Sequence, residues 1–168
     1  MFFARAQSKI VDGIEVRGGP EFHRQTQKSL DLLKPASQFE TIQAHISIIQ
    51  QGRRSGMKAW RKKPTFVAGK PTWQHSTLWY AGAIAHDAYH SKLYREAKNA
   101  RGGREPDADA WTGFEAEQKC LAFQRQVFLE LGADAATIAY LENCEKNPTY
   151  QGRNKGWRSW LDYLKRWW

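Results

Sequence analysis

The chain has little cysteine: Cys120 and Cys144 are the only two in 168 residues. Their spacing is neither the paired spacing of a zinc knuckle nor a disulfide framework. It has no run approaching the ~18–20 apolar residues of a membrane span. Its start, MFFARAQSKIVDG, lacks the longer apolar stretch of a signal peptide, so a soluble, by default cytoplasmic, protein is expected. Acidic residues are scarce where basic ones gather. Residues 53–63 (RRSGMKAWRKK) carry six basic and no acidic residues, and residues 146–168 carry six basic residues and only Asp162. Of the 26 Lys+Arg and 17 Asp+Glu, the other 134 residues therefore keep 14 and 16, so the net +9 belongs to two segments. The hydrophobic fraction of 41% is enough for a core, which excludes disorder for most of the chain.

The basic tail also holds Trp157, Trp160, Leu161, Leu164 and Trp168 at helical spacing. Cations interleaved with aromatics suit a nucleic-acid or anionic-membrane contact. The stripe equally suits a helix docked on its own domain, and docking is the reading taken for 147–168.

Val11 to Val16 reads as a short strand or hairpin arm, and Pro20 opens a helix running to about Leu33, before Pro35. Ser37 with Glu40 has the capping-box spacing, so a short helix is expected there. Ala44–Gln50 fits either a strand or a helix. Residues 51–63 read as an exposed turn or hairpin tip, and Thr65–Ala68 as an edge strand. Residues 76–95 are small, apolar and aromatic on nearly every side, the pattern of an interior helix. A loop over 99–108 leads to a helix running to Leu131, with Asp109 as its cap. Gly132 ends that helix, and Asp134 caps the next.

The interior helix contains the sequence's sharpest feature, Ile84-Ala85-His86-Asp87-Ala88-Tyr89-His90. Histidines four apart project about 40° from alignment, close enough for both to hold one metal. Three ionisable groups in the most apolar helix cost stability unless a metal or hydrogen bonds satisfy them. The following helix offers Glu115 and Glu117. Glu117 shares an apolar face with Cys120, Leu121, Gln124 and Phe128, whereas Glu115 lines up with Gln118, Lys119 and Gln126.

This pattern resembles the zincin metallopeptidases of the gluzincin branch, with an HDxxH variant of their HExxH motif. The resemblance implies Zn2+ held by His86, His90 and Glu117, with Cys120 in a position where such families carry a small residue. It implies Asp87 as general base on a zinc-activated water, although Asp is one methylene shorter than the usual Glu. It implies an α+β fold, with a small mixed or antiparallel sheet whose edge strand, about 65–68, lies beside the metal-binding helix, about 76–95. The second ligand helix would be about 109–131, all in one domain over 1–168. The implied substrate is a peptide or protein.

Two other readings stay open. His86-Asp87 is similar to the signature of the HD phosphohydrolases, for which His45 and Asp134 would supply the further ligands. The third is a non-enzymatic metal-containing module contacting nucleic acid or a protein partner through its basic segments.

Overall fold

The computed structural model describes residues 7–146. The tail helix expected at 147–168 lies outside them. Strands β1 (Gln7–Val11) and β2 (Ile14–Gly18) form a hairpin. Its two-residue turn, Asp12-Gly13, has both φ values positive, the geometry that matches the twist of paired strands and favours Asp-Gly. Gly19 and Pro20 open helix α1 (Pro20–Leu33), whose Phe22, Thr26, Leu30 and Leu33 are buried. Helix α2 (Phe39–His45) follows, then β3 (Ile48–Gly52), which settles the dual reading of 44–50 as a helix end followed by a strand. Ser37 does not make the expected capping box. Its N–H and hydroxyl both donate to the Glu130 carboxylate, which fixes this loop to a distant helix instead.

Strands β4 (Gly56–Lys58) and β5 (Thr65–Gly69) complete a mixed five-stranded sheet in the order β1-β2-β3-β5-β4. Within it β2, β3 and β5 run parallel, and β1 and β4 are antiparallel. The expected edge strand at 65–68 is thereby corrected, because β5 pairs with β3 on one side and with β4 on the other. The true edge, Gly-Met-Lys, is too short to show alternation and sits in the basic segment that reads as a turn. Gly69 ends β5 against the backbone of residues 53–55, where a Cβ would lie 3.1 Å from both Arg53 O and Ser55 N.

After a short turn of helix, α3 (Lys70–Trp73), comes α4 (Thr77–Ala100), capped by the Ser76 hydroxyl accepting from the Trp79 N–H. It runs five residues past the expected end, into the stretch read as a loop. Ala81 to Ala85 are buried without interruption, as a helix enclosed on every side requires. One face of α4 meets α1, α2 and the sheet through Tyr80, Ile84, Phe22, Ile49 and Phe66. The opposite face meets the second ligand helix, which is not continuous over 109–131. It divides into α5 (Asp109–Thr112) and α6 (Phe114–Glu130) at extended Gly113, where a Cβ would fall 2.4 Å from Asp109 O. Helix α7 (Ala135–Lys146) packs on α6, its N–H of Thr137 donating to Asp134 Oδ1. No described helix is long and apolar enough to cross a membrane.

Close approach of α4 and α6 depends on Gly82. A Cβ there would lie 2.1 Å from the Phe128 ring and 2.9 Å from Gln124 Nε2. Helix propensity favours Ala over Gly by ~1 kcal/mol, but overpacking a filled contact costs about 1–3 kcal/mol. Gly82→Ala should therefore lower the chemical-denaturation midpoint; an unchanged or raised midpoint would show that the two helices can separate freely.

Candidate metal centre

The α4/α6 contact brings His86, His90 and Glu117 together, as their spacing predicts. Each occupies a core-facing position: Glu117 is 6% exposed and His90 9%. His86 Nε2 lies 3.2 Å from Glu117 Oε1, and His90 Nε2 lies 3.1 Å from Glu117 Oε2. The two Nε2 atoms are themselves 3.1 Å apart. Glu115 is exposed at the start of α6 and takes no part.

The far side of each ring is held as firmly. His90 Nδ1–H donates to the Trp111 carbonyl at 2.7 Å, an oxygen that can only accept. His86 Nδ1–H donates to Gln124 Oε1 at 3.1 Å. When neutral, with their protons on Nδ1, both imidazoles turn an Nε2 lone pair toward the Glu117 carboxylate. Two imidazole nitrogens 3.1 Å apart, each 3.1–3.2 Å from a different oxygen of one carboxylate, repel unless a proton or a cation lies between them. Donors ~2.0–2.1 Å from a tetrahedral zinc stand about 3.3–3.4 Å apart, close to the spacing of the two Nε2 atoms. Hydrogen bonds from the far ring nitrogens that fix tautomer and ring angle are also what a His-ligated zinc would need.

Cys120 and Gln124 also belong to this centre. The Cys120 Sγ and a ring nitrogen from each of His86 and His90 all lie within 4.8 Å of one another. Burial pushes the Cys120 thiol up to about 12, so it stays protonated unless a metal displaces the proton. Neither Cys120 nor Cys144 is in a disulfide. Glu117, Cys120 and Gln124 fall at i, i+3 and i+7 of one helix, so their shared face is visible in the sequence. The Trp111 carbonyl leaves no sequence signal at all, being backbone at a helix end.

Asp87 and His86 line a cavity of about 40 Å³ that Leu121, Gln124, Tyr140, Leu141 and Cys144 close from α6 and α7. A cavity needs roughly 10–15 Å³ to hold one water, so there is room for two or three beside Asp87 and His86. Burial pushes the Asp87 carboxyl up to about 6, with His86 and His90 partly opposing the shift.

His45 and Asp134, the further ligands of the HD reading, are not gathered here. His45 ends α2 near Lys92, Arg95 and Glu96, where burial and then the Arg95 charge push its pKa down. Asp134 is occupied as the cap of α7. No protein-family model, curated protein or solved structure matches the chain.

Burial opposes charge on His86 and His90, but Glu117 outweighs it and raises both. Burial likewise pushes Glu117 up, while the adjacent imidazoles hold it well below the usual carboxylate range. A raised folded pKa means that the metal-free fold binds these protons more tightly than the unfolded chain does. The stabilisation is full below the unfolded imidazole value of ~6.5 and is lost as pH rises through the higher folded values. A zinc ion at this centre would compete with the same protons, so its affinity would run the other way and begin falling above pH ~6.5 on acidification. Chelator-monitored zinc release and denaturation of the stripped chain across pH measure both. Parallel pH trends in the two curves would contradict the assignment.

Proposed function

We propose that the chain is a zinc-dependent hydrolase of the metallopeptidase type, with His86, His90 and Glu117 as ligands and Asp87 as general base. The observation carrying this reading is the convergence of two Nε2 lone pairs and one carboxylate within 3.2 Å, at nearly the spacing of a tetrahedral ion. Its context adds support: a mixed sheet with an antiparallel edge strand precedes the helix bearing both histidines, and the acidic donor comes from a later helix.

Zinc, when bound with an open fourth position, polarises a carbonyl and acidifies water. Gln124 and the Trp111 carbonyl hold the two imidazoles in the metal-binding tautomer. Asp87 takes a proton from the attacking water and delivers it to the leaving amine. Its short side chain reaches through the water-sized cavity beside His86 rather than directly.

A second reading is favoured by Cys120. If its thiolate became a fourth ligand, the site would be closed and structural. Zn–N and Zn–S lengths of ~2.0 and ~2.3 Å require the sulfur about 3.6 Å from each nitrogen. Its position within 4.8 Å of them leaves that closure to a modest shift of α6. Cobalt substitution separates the two, because only the closed site gives a thiolate-to-cobalt charge-transfer band that Cys120→Ser abolishes.

Purified protein should contain about one zinc per chain. His86→Ala or Glu117→Ala should empty the site, whereas His45→Ala or Asp134→Ala should leave it filled. Asp87→Asn should retain zinc and lose hydrolysis of a casein or peptide-library substrate by roughly 10²-fold or more. Asp87→Glu, which restores the missing methylene, should raise it. Zinc retained in Glu117→Ala, or hydrolysis unchanged in Asp87→Asn, would remove this assignment.

A further inference from the structure

The residues on either side of β4 carry features that the metal centre does not use. Residues 53–63 hold six basic side chains and no acidic one. Arg53, Arg61 and Lys62 are exposed and Lys58 is half-buried, and none of them has a carboxylate partner among the described residues. Lys63 lies 3.8 Å from Glu15, whose carboxylate Arg17 and Ser8 already hold. A cationic surface left unneutralised in this way raises the local concentration of anionic ligands.

The cations are strung along one rim of the sheet. Gly69 ends β5 against the backbone of residues 53–55, while Lys58 lies opposite Thr65 at the start of β5. Arg53 therefore stands toward one end of that rim, and Arg61 and Lys62 toward the other. Met57 and Ala59 are buried in the core, which leaves Lys58 and Trp60 alternating with them on the outer side.

Among the described residues the exposed large apolar side chains are Ile10, Trp60, Phe114 and Leu129, and Trp60 alone is set in a run of cations. It is 55% exposed. Trp111 braces it edge-on, with ring centroids 5.9 Å apart and planes at 62°, so the ring has little freedom left to lose when another flat group covers its open part.

Charge by itself has a plainer explanation, since a short edge strand is commonly blunted by one or two lysines against pairing with another chain. A large exposed ring works against that purpose, because it adds adhesive surface. Cations spaced around an exposed aromatic instead suit a single-stranded nucleic acid, whose phosphates repeat along the strand and whose unstacked bases offer flat faces. A duplex keeps those faces inside. An acidic peptide meets the cations but gives Trp60 nothing to stack on, and one braced ring is little apolar area for entering an anionic bilayer.

We propose that the rim formed by Arg53, Lys58, Trp60, Arg61 and Lys62 binds single-stranded nucleic acid, the cations holding phosphates and Trp60 stacking on a base. The proposal uses none of His86, His90 and Glu117 and is independent of the hydrolase reading.

Fluorescence anisotropy of the full chain with labelled oligothymidylate and oligouridylate of about twelve nucleotides tests it. Both strands should bind, and the tighter of them names the sugar that the site prefers. The logarithm of the affinity should fall linearly with that of salt concentration, by about 0.7 for each phosphate contacted. Arg61→Glu combined with Lys62→Glu should weaken binding roughly tenfold or more, whereas the exposed pair Arg24→Glu and Lys28→Glu on α1 should leave it nearly unchanged. Trp60→Ala should weaken it roughly fivefold to 150-fold, the range of one base–aromatic stack. An abasic strand of equal charge has phosphates but no bases, so Trp60→Ala should leave its binding unchanged while the Arg61 and Lys62 pair weakens it. Failure of both oligonucleotides to bind would overturn the proposal, as would native affinity in either variant or an equal loss on the abasic strand in Trp60→Ala. Binding at least as tight by the matching duplex or by polyglutamate of matched charge would overturn it too, as would capture of the chain by phosphatidylserine vesicles in preference to the oligonucleotide.

Discussion

Two imidazole nitrogens and a carboxylate, forced within 3.2 Å of one another inside an apolar helix contact, are the constraint around which the other elements are arranged. Acceptors at that spacing need a proton or a cation among them, and burial removes the water that would otherwise screen them. The surrounding structure does nothing to relieve the crowding. Gln124 and the Trp111 carbonyl take the Nδ1 protons and so direct the lone pairs inward. Gly82 lets α6 approach closely enough for Glu117 to reach both rings. An apolar helix enclosed on all sides is stable with these groups only because each has a fixed partner.

The charge of the molecule is divided in the same sense. Inside, charged groups pair at close range, and the body of the chain is nearly neutral. Outside, one short stretch beside a sheet edge holds a concentration of like charge. Trp60 and Trp111 join the two physically, so a change of side chain at either would be felt on both sides.

Much of this was legible in the sequence wherever periodicity and burial agree. Pro20, Leu33 and Pro35 mark α1, the apolar sweep of 76–95 marks α4, and the face shared by Glu117 and Cys120 separates Glu117 from Glu115. Strand order was not legible, because pairing is decided between segments distant in the chain. Thr65–Ala68 has the composition of either an edge or an inner strand, and only the return of Gly56–Lys58 makes it inner. The direction of Asp87 was hidden as well. Its place between two histidines gives no sign of the cavity that it lines with His86, Tyr140 and Leu141. Ser37 has the spacing of a cap, but Glu130, far along the chain, offers a stronger charged acceptor.

The interruption at Gly113 has a further consequence. In an unbroken helix the Trp111 carbonyl would accept from the N–H four residues on, that of Glu115, and would have less to offer an imidazole. Extended Gly113 ends α5 after a single turn and leaves that carbonyl directed at His90. No other residue fits there, since any Cβ would strike Asp109 O. The orientation of a ring buried in α4 is thus governed by the absence of a side chain in a different segment. A sequence change at Gly113 would turn the His90 ring with His86, His90 and Glu117 all intact, and so would read in a genetic screen as a change at His90 itself.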